Sequence, residues 1–274
     1  MSTAGRAAPV AGGRRPAGLP VMVMVAFAGS LSASALAAGC GPAPIDAVTI
    51  GGDSLARDLV AHWTFDDGAG SVVADRARGR HDGQLAGGVW LPGGRFGGAL
   101  RLAFGDNVTI PGFPQATPSW TVSVWVRVSA ADLVADATDL ATLLSAEQVF
   151  AGGWQVHLDS RPDHGTLDVA YWAPDPVADY VVLSCKCIEV DRWIHLTATF
   201  DFPARTFRLY RDAAVVGATV MPNAILAGDS VLYIGRWNQN ARFLAGDLDD
   251  FAIWGRALSA DEVAAVSLRP PPDS

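Results

Sequence analysis

After residue 58, apolar side chains recur at every second position in short runs, and clusters of Gly, Asp, Asn and Pro separate the runs. Thr121 to Val128 reads T-V-S-V-W-V-R-V, so an extended chain places Val122, Val124, Val126 and Val128 on one face and Thr121, Ser123, Trp125 and Arg127 on the other. Leu59 to Phe65 runs into the turn-forming stretch Asp66-Asp67-Gly68-Ala69-Gly70, which predicts a strand ending in an acidic turn. Further runs cover 141–145, 154–158, 167–172, 180–185, 193–200, 207–210, 214–220, 231–235 and 248–254. About a dozen strands at hairpin spacing predict an all-β, antiparallel sandwich of two sheets. One helix is expected near the end, because Ser259-Ala260-Asp261-Glu262 has the capping-box spacing before Val263, Ala264 and Val266.

The first 39 residues follow another pattern. Arg6, Arg14 and Arg15 precede a mostly apolar run from Leu19 to Gly39 that contains no acid, which is the layout of an export signal. The run closes on Leu36-Ala37-Ala38-Gly39-Cys40, which resembles the lipobox of bacterial lipoproteins, with Ala37 where that family usually has Leu. The resemblance implies cleavage before Cys40, acylation of its thiol and a lipid anchor on the extracytoplasmic side of a bacterial membrane. Residues 41–58 are rich in Gly, Pro, Ala and Asp without a sustained period and read, with Cys40, as a flexible tether. The expected organisation is therefore a signal peptide over 1–39, a tether over 40–58, a β-domain over 59–268 and a disordered tail over 269–274.

Half of the 274 residues are hydrophobic and only 18% are charged, enough to bury a sizeable core. The net charge of −8 falls to −11 without the three arginines of the first 39 residues, which argues against a nucleic-acid partner.

Five segments carry a resemblance when taken in order: Leu59–Gly70, Gly98-Ala99-Leu100-Arg101-Leu102, Thr121–Val128, Trp193-Ile194-His195-Leu196-Thr197, and Gly246-Asp247-Leu248-Asp249-Asp250-Phe251 through Trp254-Gly255-Arg256-Ala257-Leu258-Ser259. Together they resemble the laminin-G-like jelly roll of the concanavalin A-like lectins and glucanases, over residues 59–267. The resemblance implies that the first and last strands are neighbours. The family commonly has Asp-Gly where this chain has Asp212-Ala213, so a turn of another type is expected there.

Glucanases of that fold place two carboxyl groups at alternate positions of one strand, as glycoside hydrolysis needs an acid and a nucleophile or base. Asp247 and Asp249 are the nearest analogue, but Phe251 occupies the next position, and none of Glu147, Glu189 and Glu262 belongs to such a row. His62, His81, His157, His164 and His195 show no metal-ligand spacing, and no Gly-x-Ser-x-Gly turn is present. Cys185-Lys186-Cys187 leaves three readings open: a bridge, a reactive pair or two structural thiols.

Calcium is the candidate cofactor, since many laminin-G-like domains carry one ion at the sandwich rim. Asp66, Asp67, Asp249 and Asp250 are the candidate ligands, and turn formation or acceptance of backbone N–H bonds is the plainer alternative for them. Simple alternation expects Asp249 to point inward with Phe251 and Ile253, and Asp250 outward. For a ligand surface the nine tryptophans matter, because an indole offers an apolar face to a sugar. Trp237, Asn238 and Asn240 form the strongest loop candidate, with Trp172 and Tyr180 as companions, whereas Trp63, Trp125, Trp193 and Trp254 are expected in the core. The resulting expectation is an anchored binding module for glycan or surface protein, with a structural envelope component as the alternative and a glycoside hydrolase third.

Overall fold

The computed structural model describes residues 52–114, 118–134, 140–146, 153–159, 166–172, 180–220 and 231–272. Cys40, the export signal and the tether up to residue 51 lie outside the described residues. Among the described residues no helix is long and apolar enough to cross a membrane.

Two antiparallel eight-stranded sheets face each other. The first contains, in spatial order, β14 (Ala214–Val220), β13 (Thr206–Arg211), β12 (Ile194–Asp201), β7 (Trp120–Arg127), β16 (Gly246–Trp254), β5 (Ala99–Leu102) and β4 (Val89–Leu91), with β1 (Leu59–Trp63) paired to β16. The second runs β11 (Tyr180–Lys186), β10 (Thr166–Trp172), β9 (Trp154–Asp159), β8 (Leu140–Ser145), β15 (Val231–Ile234), β6 (Asn107–Pro111), β3 (Gly83–Ala86) and β2 (Val72–Val73). The expected neighbourhood of first and last strands is present, with Leu59 opposite Trp254 and Trp63 opposite Phe251. The strands read from periodicity all occur; β2, β3 and β4 are too short to show a period, and β6, whose Val108 and Ile110 alternate with Thr109, is an additional strand.

Val122, Val124, Val126 and Val128 enter the core between the sheets together with Leu196, Ala198, Leu248 and Phe251. The opposite face of the first sheet is buried as well. A second apolar cluster lies there, in which Leu55, Leu258, Val263 and Val266 cover Tyr210, Ala252 and Trp254. These come from α1 (Gly52–Ala56) and α2 (Ala260–Val266) and their flanks. The capping box of α2 forms as its spacing predicts. Burial pushes the Glu262 carboxyl up, but the Arg256 guanidinium, the Ser54 hydroxyl and the Ser259 N–H outweigh it and hold Glu262 down at about 2.

Residues 52–58, expected to end a tether, belong to the folded body. Leu55 is fully buried, its carbonyl accepts the Trp254 indole N–H at 2.7 Å, and Arg256 donates to the Ser54 and Arg57 carbonyls. Composition concealed this, because one buried leucine is enough to dock so short a helix. The expected tail is corrected as far as it is described: Pro271 is buried, and with Pro270 it lines a cleft.

The hairpin between β13 and β14 turns through Asp212 (φ 48°) and Ala213 (φ 66°), both left-handed, the geometry that usually recruits glycine. Asp212 offsets that strain by accepting the His195 N–H and pairing with Arg192. Cys185 and Cys187 are joined in a disulfide, which selects the bridge among the three readings.

Candidate functional site

The strand β16 carries the acidic positions, and a bulge decides where they point. Leu248 pairs with Val126 and enters the core, and Asp249 pairs with Trp125 on the opposite, outer face. The register then shifts before Ala252, with Asp250 left-handed at φ 44°. Phe251 and Ile253 therefore return to the core, and Asp249 does not share their side. The inward orientation expected from alternation is thus corrected, because the extra residue of a bulge reverses parity.

Asp249 is completely buried, and its Oδ2 accepts the N–H groups of Arg95 at 2.6 Å and Phe96 at 2.8 Å. Asp66 Oδ1 accepts the Gly98 N–H from the same loop. This loop, residues 93–98, folds so tightly that a Cβ on Gly94 would lie 1.9 Å from the Gly98 carbonyl oxygen. Burial, joined by the nearby Asp250 charge, pushes the Asp249 carboxyl up to about 7 against the two N–H bonds. Asp250 is also raised by burial, opposed by His62, whose Nε2 lies 3.0 Å from Asp250 Oδ1. Asp67 serves a turn instead, pairing with Arg76 and accepting the Ala74 N–H.

The four candidate calcium ligands thus have separate protein partners. Asp249 Oδ1 and Asp250 Oδ2 are buried without a hydrogen bond, but two oxygens fall well short of the six to eight a calcium ion takes. Among the described residues no group of three or more His, Cys, Asp or Glu converges on one point. The donor set does not fit calcium; hydrogen bonds to loop backbone account for Asp66, Asp67 and one oxygen of Asp249.

The candidate ligand residues lie apart. Trp237 follows β15 in a closed turn, with its N–H bonded to the Ala241 carbonyl and its own carbonyl accepting the Asn240 N–H. Asn240 is exposed, Asn238 and Trp237 are half-buried, and the Arg242 guanidinium covers one face of the Trp237 ring at 4.3 Å. The turn is fastened to the start of β8 by the Thr142 N–H bond to the Arg242 carbonyl. Thr142 aligns through His157 with Asp168, whereas Trp172 and Tyr180 pair at the other end of β10 and β11. The two rows lie four residue steps apart along β10, about 13 Å of strand, so the structure does not bring the five residues into one site.

A different cleft combines aromatic and charged groups on the outer face of the first sheet. It has a volume of ≈480 Å³ and is lined by Arg95, Trp125, Arg192, Trp193, Asp212, Ser267 and Leu268. Trp125 packs edge-on against Phe96 and tilts against His195, with centroids 6.0 and 5.0 Å apart. Arg95 lies over the rings of Trp125 and Phe96, at 4.6 and 4.8 Å, and Arg127 lies 4.8 Å from the Trp193 ring. Arg192 bonds Asp212 at 2.7 Å and Glu189 at 2.8 Å. His195 bonds Ser123 through Nε2, and burial, reinforced by Arg95, pushes its pKa down to about 3, so the ring is neutral.

Trp125 is buried as expected, although on the outer face of the first sheet, whereas Trp193, expected in the core, is corrected to a half-buried position just before β12. The alternation of β7 carries the signal, since it opposes Trp125 and Arg127 to the core-facing valines. No sequence signal marks Arg95, because only the Asp249 clamp places its loop there.

The carboxylates are poorly disposed for glycoside hydrolysis. Asp247 is held between Arg127 and Arg101, and Asp249 lies sealed beneath the 93–98 loop.

Comparison with solved structures finds the same fold in botulinum neurotoxin binding domains. The receptor-binding domain of botulinum neurotoxin D matches with a TM-score of 0.61 at 13% identity, covering 78% of this chain and 53% of that one. The type G receptor-binding domain matches at 0.57 and 16%, covering 77% and 51%. A serotype D ligand-binding domain in complex with N-acetylneuraminic acid matches at 0.60 and 15%, covering 79% and 52%. The chain spans about half the length of these domains, and at such identities the likeness is one of fold. No curated protein sequence matches. The laminin-G-type family model of the concanavalin A-like lectin/glucanases superfamily matches residues 102–264, more than half of the chain and including β7, β12 and β16. With two facing antiparallel sheets and that match, the chain belongs to the concanavalin A-like lectin/glucanase superfamily.

Proposed function

We propose that this protein is a glycan-binding module, displayed outside the cytoplasm on a lipid anchor at Cys40, and that the outer-face cleft is its sugar site. The observation that carries the reading is the pairing of two indoles, Trp125 and Trp193, with charged and hydrogen-bonding groups in a cleft of ≈480 Å³. An apolar ring face beside fixed polar groups suits a pyranose, which has an apolar C–H face and an equatorial belt of hydroxyls. The half-exposed Trp193 supplies the accessible ring and Trp125 the buried floor. The likeness in fold to a toxin domain in complex with N-acetylneuraminic acid is compatible with this use.

A glycan array probed with the protein lacking residues 1–39 tests the reading. Binding to a defined set of sugars is expected, and Trp193→Ala should weaken it at least about tenfold with little change in melting temperature. No binding to any glycan, together with stable capture of an envelope protein, would favour a structural role instead.

A further inference from the structure

We infer that the sugar taken by this cleft carries a carboxylate, and that the Arg95 guanidinium receives it. The inference rests on the glycan-binding reading and specifies its ligand class. The donors and acceptors of the cleft are unequally spent. Its one carboxylate, Asp212, already accepts from the Arg192 side chain and the His195 N–H. Arg192 is matched in turn by Asp212 and Glu189. Arg95 is different: among the described residues no carboxylate pairs with its guanidinium, which is exposed and lies over the rings of Trp125 and Phe96. The floor adds a second unspent donor, because the Trp125 indole N–H is buried without a hydrogen-bond partner. His195 is neutral and already engaged with Ser123 through Nε2, so the unmatched positive charge belongs to arginine.

A cleft with unspent donors and a spent carboxylate favours an acceptor-rich, anionic ligand. The planar guanidinium can bond both oxygens of a carboxylate while its own face stays against the rings. Its position is held from behind, since the Arg95 and Phe96 N–H groups are fixed on the buried Asp249. Asp249 is a positioning residue here. In a chain of net charge −8, this guanidinium is a local positive charge without a carboxylate partner among the described residues.

The test uses two acidic sugars, an oligogalacturonate and an N-acetylneuraminyl oligosaccharide, each against its own methyl ester, with a sulfated oligosaccharide as a further arm. The esters keep size and hydroxyls and remove only the charge. At least one acid is expected to bind about tenfold more tightly than its ester, the preference shrinking with added salt. Which acid does so distinguishes a uronic from a sialic source. Arg95→Gln should collapse the acid-to-ester ratio toward one, and Arg95→Lys should retain part of it. If acid and ester bind equally, or only the sulfated sugar binds, the carboxylate inference fails and the glycan-binding reading stands. If no sugar binds in either form, that reading fails and this one with it.

Discussion

Asp249 shows how one residue couples titration to the shape of a site. Its carboxyl has a folded pKa of about 7, raised chiefly by burial, so the folded protein holds a proton that the unfolded chain releases near pH 4. Stability from this group is therefore greatest below pH 4 and falls as pH rises to about 7. His195 acts oppositely: with its pKa held near 3, it favours the folded state progressively as pH rises from 3 to about 6.5. The two trends offset in the parent protein, so the informative quantity is the difference between parent and variant. Asp249→Asn keeps an oxygen for the Arg95 and Phe96 N–H groups and cannot ionise. Relative to it, the parent should lose stability on the order of a few kcal/mol between pH 4 and 7, read from melting curves across that range. Because the carboxylates do not converge, parent melts in chelator and in millimolar calcium should coincide, by the linkage between binding and stability.

Among the elements, α1 has the least sequence signal and a clear structural duty. Five residues cannot sustain a helix in water, so packing on Trp254 and the backbone bonds from Arg256 must hold it. Leu55→Ala should cost about 2–4 kcal/mol, a drop in melting temperature of roughly 5–15 °C. A flexible tether would lose nothing, so an unchanged melt would return residues 52–58 to the linker. The longer elements were legible because their signals are local: β7 declares both faces in its alternation, and Ser259 with Glu262 announces the start of α2. The bulge in β16 was not legible. It depends on how β1, β5 and β7 share that strand, with β5 on Gly246 to Leu248 and β1 on Phe251 to Trp254.

For the whole molecule, the proposed anchor and the proposed site belong to different parts of the chain, so the two proposals can be tested separately. Under the proposed reading, Cys40→Ser should shift the exported protein from the detergent phase to the aqueous phase on phase partitioning while leaving sugar binding intact. Retention of the variant in the detergent phase would mean that an uncleaved apolar segment holds it instead. The period-two runs, the turn formers between them and the capping box determined by themselves that the chain forms an antiparallel β-sandwich with a short terminal helix. Those features depend on a few consecutive residues, whose side-chain directions follow from backbone geometry. Only the tertiary structure decided where the candidate cleft lies. Trp125 and Trp193 are 68 positions apart, and Arg95 joins them through a buried carboxylate 154 residues away along the chain. Trp237 and Trp172, plausible by composition, end at opposite ends of one sheet because strand order and register, set by burial of whole faces, determine which loops meet.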